Sequence, residues 1–150
     1  MSVIPTVWIP VLYSVAMGVD AIAALVFGRL FDRRGLSVLM LASFISVFFA
    51  PFVFSRGIGL AVIGMVLWGV GMGSQESIMR AAVSEMVPRE KRGTAFGVFN
   101  TGYGLAWFLG SALMGFLYDR RLILVIIFSM TVQVLAIPLF YLISRKDFSR

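Results

Sequence analysis

Five stretches of the chain are nearly unbroken runs of apolar residues: Val7–Phe27, Leu36–Phe54, Ile58–Val83, Thr94–Tyr118 and Leu122–Ile143. Each approaches or exceeds the roughly 20 residues that a helix needs to cross the hydrocarbon layer of a bilayer. The runs are continuous and do not alternate with a period of two, so they predict helices and disfavour a β-barrel. The connectors between them, Arg29–Gly35, Ser55–Gly57, Ser84–Gly93 and Asp119–Arg121, are short. Short links favour antiparallel neighbours. The pattern therefore predicts an all-α fold, a polytopic transmembrane helical bundle of five spans, with residues 1–150 forming a single membrane domain.

Composition agrees. Hydrophobic residues make up 60% of the 150-residue chain and charged residues only 13%, with a mean hydropathy of +0.98. A soluble domain of this size cannot bury so much apolar surface, because much of its surface still faces water. Lipid is the solvent for most of this sequence. There is no Cys and no His, which removes thiol nucleophiles, disulfides, histidine acid–base chemistry, and thiolate or imidazole metal sites. No enzyme, cofactor or metal is expected. The start, Met1-Ser2, lacks the basic region of a signal peptide.

The net charge of +6 gains meaning from its placement. Arg29, Arg33, Arg34, Arg89, Lys91, Arg92, Arg145, Lys146 and Arg150 fall on one side of the predicted bundle, with Arg80 near them; Arg56, Arg120 and Arg121 fall on the other. The positive-inside rule puts the richer side in the cytoplasm. The expected setting is the cell membrane, with the C-terminus inside and the N-terminus outside. The cations form no aromatic-interleaved face, so nucleic acid is not an expected partner.

The first connector, with Gly28 before it, reads GRLFDRRG, a tight turn bracketed by Gly28 and Gly35. Positive-inside bias accounts for its arginines but not for Asp32 or the G-x-L-x-D-R-x-G spacing. A carboxylate here suits the positive end of a neighbouring helix, and the fourth span offers one, with Pro88 fit for a first helical position and Glu90 for a first turn. The segment resembles the signature loop G-x-L-x-D-R-x-G-R-R/K of the major facilitator superfamily of secondary transporters. Gly28, Leu30, Asp32, Arg33 and Gly35 match, while Leu36 and Ser37 stand where the basic pair belongs. The stretch from Gly69 to Gly104, with Pro88, Glu90, Arg92 and Gly93 as P-x-E-x-R-G, resembles the fourth helix, cytoplasmic loop and fifth helix of a half. Residues 110–115 lack the proline of the antiporter pattern G-P-x-x-G-G, so antiport is not inferred.

The resemblance aligns the five spans with helices eight to twelve of twelve, a C-terminal half without its first helix. It implies a cytoplasmic latch in which Asp32 meets a helix start and Arg33 meets an acid, with Glu85 as the candidate acid.

Polar residues inside the spans are the candidates for coupling or solute contact. Asp20 lies seven positions before Phe27, about 10 Å into the apolar layer at ~1.5 Å per residue. A carboxylate there costs on the order of 3 kcal/mol. It reads equally as a coupling or cation site and as an interhelical hydrogen bond that fixes packing. Glu76 lies about 27 Å along its helix from Ile58, and a pair with Arg80 one turn on competes with a place beside Gln75 at the mouth of a cavity. Tyr13, Asn100, Tyr103, Trp107 and Gln133 offer hydrogen bonds to a solute, though each also suits packing. Trp8 and Tyr141 fit interface anchors, and Pro138 removes a backbone donor from the fifth span. Glycines crowd the third and fourth spans, with Gly93 and Gly97 as a G-x-x-x-G pair; they read as packing or as a sliding surface.

The expected function is secondary transport of a small solute across the bilayer, with H⁺ or another cation as a coupling ion. The expected partner is a separately encoded N-terminal half, or self-association. A non-transporting remnant of a truncated or split gene and a small membrane scaffold or subunit are the alternatives.

Overall fold

The computed structural model describes residues 5, 7–35, 37–55 and 57–147, with side-chain surroundings described through Leu142. Met1, Ser2, Leu36, Arg56 and Arg150, named above, lie outside the described residues, as do the side chains of Ile143, Arg145 and Lys146. Six α-helices occur in the order α1 (Trp8–Arg34), α2 (Ser37–Ser46), α3 (Phe49–Val53), α4 (Ile58–Met86), α5 (Arg92–Arg120) and α6 (Leu122–Asp147). A single 3₁₀ turn, Arg89–Lys91, precedes α5. No strand occurs among the described residues.

Each predicted span has its helix, except that the second is divided into α2 and α3. Pro51 explains the division. It has no N–H to offer, and its ring crowds the carbonyl four residues back, that of Val47. The helix stops at Ser46 and resumes at Phe49. Three helices are long and apolar enough to cross a membrane: α1, α4 and the described part of α6, Leu122–Leu142. The run Ser37–Val53 is apolar but shorter. α5 has 29 residues, but six glycines, Asn100 and its charged ends dilute its apolar character.

The first connector differs from expectation. Gly28 through Arg34 are the last two turns of α1, and the reversal begins only at Gly35. No helix breaker other than Gly28 stands in that segment, and Arg33 and Arg34 are placed where the negative end of the helix dipole favours cations. Gly35 has φ 60° and ψ −153°, and its N–H donates to the Phe31 carbonyl at 2.7 Å. That backbone region is open essentially to glycine alone. Gly35→Ala is expected to lower stability by about 1–3 kcal/mol, read from unfolding in mixed detergent micelles followed by circular dichroism. The later connector also shifts: Pro88 precedes the 3₁₀ turn, Glu90 sits inside it, and α5 starts at Arg92. The Arg92 Nε donates to the Val87 carbonyl at 3.3 Å and ties this turn together.

α4 is the centre of the bundle, held by small residues on two faces. A Cβ added to Gly69 would come within 2.5 Å of the Ala16 carbonyl oxygen, and one added to Gly73 would collide with the Asp20 carbonyl. One turn further, Ser77 Oγ donates to the Ala24 carbonyl at 3.1 Å. Ala16, Asp20 and Ala24 thus meet Gly69, Gly73 and Ser77 in a seam of near-backbone contact. On the other face Gly64 abuts Val53 and the Phe49 carbonyl, and Gly71 abuts Ser46. Toward the Gly35 end, Phe27 and Phe31 of α1, Val38 and Leu39 of α2, and Ile78 of α4 form the buried core. In lipid, with no hydrophobic drive between helices, close backbone approach of this kind supplies the packing.

The α5 glycines behave differently. A Cβ at Gly93, Gly97, Gly102, Gly104, Gly110 or Gly115 would meet nothing within 4 Å, and α5 contains no buried residue. The Gly93–Gly97 pair makes no close contact among the described residues; packing falls to the glycines of α4.

Candidate functional site

Two cavities lie end to end where α4, α5 and α6 face one another, with α2 and α3 behind. The first, of about 430 Å³, lies toward the Phe54 end and is lined by Phe54, Gly110, Ser111, Val125 and Ser129 among others. The second, of about 420 Å³, includes Ser43, Met72, Gln75, Tyr103 and Gln133. Phe49, Trp68, Trp107 and Met114 belong to both walls. The two tryptophans therefore stand at the junction of one elongated space. Both volumes fall within the ~300–1,000 Å³ usual for small-molecule sites.

Helical spacing builds the aromatic wall. Phe99, Tyr103 and Trp107 recur every fourth residue on α5, so they share a face. Ring centroids are 5.9 Å apart both between Phe99 and Tyr103, which stack, and between Tyr103 and Trp107, which tilt by 43°. Across the cavity, Trp68 of α4 meets Tyr13 of α1 at 6.3 Å between centroids.

Four of the sequence candidates come together here: Gln75, Tyr103, Trp107 and Gln133. Tyr13 lines neither cavity and meets Trp68 instead. Asn100 is exposed on α5 away from the cavity wall. Glu76 forms the expected pair with Arg80 at 3.2 Å, largely in the open. Asp20 does not line either cavity. It lies in the α1–α4 seam, where its Oδ1 is buried without a hydrogen-bond partner among the described residues.

Asp32 and Arg33 are exposed on the last turn of α1, and Glu85 is exposed on the last turn of α4. No ion pair joins them among the described residues, where Arg80–Glu76 is the pair formed. No cluster of acids, His or Cys suited to a metal occurs among those residues.

Trp68 and Ser43 also shape the site, and neither is evident as a candidate in the sequence. Trp68 sits in an apolar run where a tryptophan looks like packing. Ser43 carries a subtler signal. Ser14, Ser46, Ser74 and Thr101 each donate to the carbonyl four residues back, the usual habit of a hydroxyl within a helix. Ser43 Oγ has no partner among the described residues, although the residue is 1% exposed.

Comparison with known proteins adds a family. The family model for the Major Facilitator Superfamily matches residues 2–149. Uncharacterized proteins of Mycobacterium bovis and Mycobacterium tuberculosis are 33% identical over 142 residues, covering 95% of this chain. The chain spans only 35% of the length of those relatives. No solved structure matches it significantly.

Proposed function

The chain belongs to the Major Facilitator Superfamily, a family of membrane transporters, and from that premise we propose that it forms one side of a path for secondary transport of a small solute. The observation that carries this reading is the elongated cavity between α4, α5 and α6, with hydrogen-bonding and aromatic side chains in the middle of apolar helices. Polar groups at that depth are costly in hydrocarbon and mark solute or ion pathways. A family of transporters makes bond chemistry an unneeded assumption.

In this reading the cell membrane holds the bundle, with the Gly35 and C-terminal ends in the cytoplasm and the N-terminus outside. The path closes against further helices, from an N-terminal half or from a second copy. The open glycine face of α5 and the greater length of the relatives favour such a complement. Gln75, Tyr103, Trp107 and Gln133 contact the solute. Asp20 exchanges H⁺ or another cation, and Asp32, Arg33 and Glu85 latch the cytoplasmic side when the halves rock together. Glu76, next to Gln75, guards the inner mouth.

Deletion of the gene, followed by profiling of solute uptake and efflux, tests the reading. A solute whose flux falls on deletion and recovers on restoring the gene supports transport. Unchanged flux across the panel contradicts it.

A further inference from the structure

The cavity also constrains what passes through it. Among the described residues that line either cavity, none carries a charge. A charged solute would find no counter-charge on this wall, since Glu76 and Arg80, which follow Gln75 on α4, pair with each other, and an unpaired ion in apolar surroundings is disfavoured. The wall does offer flat aromatic faces: Trp107 and Tyr103 from α5, and Trp68 from α4. Planar rings gain from stacking or edge contact with such faces beyond simple burial. It also offers hydrogen bonds left unused among the described residues. Gln133 Oε1 and Ser43 Oγ are both buried without a partner among the described residues, and Gln75 places a second carboxamide on the same wall. A carboxamide presents a donor and an acceptor in one plane. That arrangement complements an amide, lactam or similar edge on a solute. A buried polar group left unpaired costs free energy, so a solute that pairs it gains affinity.

We propose that the cavity takes an uncharged, planar aromatic solute bearing an amide-like hydrogen-bonding edge, stacked on Trp107 and held by Gln133 and Ser43. This rests on the transport reading only for the use made of the site; binding itself needs no transport.

The test is binding of tritiated naphthamide to the full chain in lipid nanodiscs, with unlabelled naphthamide, naphthoate, naphthylmethylammonium and decalin carboxamide as competitors. Naphthamide should compete at least about tenfold better than either ion and better than the saturated amide, the scale of one hydrogen bond or aromatic contact. Gln133→Leu should weaken naphthamide by about tenfold. Gln133→Glu keeps the shape and adds a charge, and should turn the preference toward naphthylmethylammonium, which also separates a role in binding from a general folding defect. Equal or stronger competition by either ion overturns the inference, as does failure of naphthamide to bind. An unchanged preference in Gln133→Glu overturns it as well. Selective naphthamide binding without flux in vesicles made from the same protein contradicts transport and supports the solute class; flux confined to a charged solute does the reverse.

Discussion

Gly73→Ala is expected to destabilise the bundle by about 3 kcal/mol, at the upper end of overpacking costs. The added methyl group would collide with the Asp20 carbonyl of α1, and the Ala24 backbone nitrogen lies 3.1 Å from the same Cβ position. Both obstacles are backbone, so no rotamer change makes room. Relief requires α1 and α4 to separate, which also loosens the Gly69–Ala16 contact and the Ser77–Ala24 hydrogen bond. Gly104→Ala is the matched control, because a Cβ there meets nothing within 4 Å. In the chain alone it should be neutral or slightly stabilising, since alanine favours helix by about 1 kcal/mol over glycine. Unfolding of both variants in mixed micelles, followed by circular dichroism, makes the comparison. Equal stability of Gly73→Ala and the unsubstituted chain would show that the seam is looser than described.

Asp20→Asn is expected to reduce ion-driven flux by about tenfold or more, or to uncouple it from the ion gradient, while expression and folding persist. Asparagine keeps the shape of aspartate but neither ionises nor takes up a proton. The side chain lies beside the α1–α4 seam with Oδ1 buried and unpartnered among the described residues. An interhelical hydrogen bond that fixes packing would give this oxygen a partner, and ionisable groups inside spans mark ion and proton pathways. Flux in vesicles across a range of imposed pH gradients distinguishes the two. If Asp20→Asn retains the full pH dependence, Asp20 is a packing residue.

Most of the architecture was legible in the apolar runs, because about 20 apolar residues make a helix long enough to span a bilayer, whereas α5 has the length but not the apolar composition. The division of the second span followed from Pro51, whose effect depends on a carbonyl four residues away and not on hydropathy. Gly28 and Gly35 look alike in sequence, yet only Gly35 adopts a positive φ, so a bracketing pair suggests a longer turn than forms. Glycines are dense in both α4 and α5, but only Gly64, Gly69 and Gly73, all in α4, have a neighbouring backbone against them. Sequence spacing records smallness and cannot record what lies opposite.

The same limit applies to the site. Gln75, Tyr103, Trp107 and Gln133 were visible as polar or amphipathic residues inside spans, and they share one cavity. Asp20, Asn100 and Tyr13 have the same signature and do not line it, because their position around the helix axis depends on packing between elements. Asp32 and Arg33 match the family motif and Glu85 is its candidate acid partner, yet all three are exposed and no ion pair joins them among the described residues.

The most direct measurement exploits the absence of native cysteine. Ala136 lines the cavity, while its neighbour Leu135, at 64% exposure, points away from the bundle. Single substitutions Ala136→Cys and Leu135→Cys, treated in intact membranes with a water-soluble methanethiosulfonate, compare two adjacent positions at the same depth. A water-filled solute path predicts rapid modification at position 136 and little at 135. Equal inertness of both, or faster reaction at 135, would contradict a solute path between α4, α5 and α6.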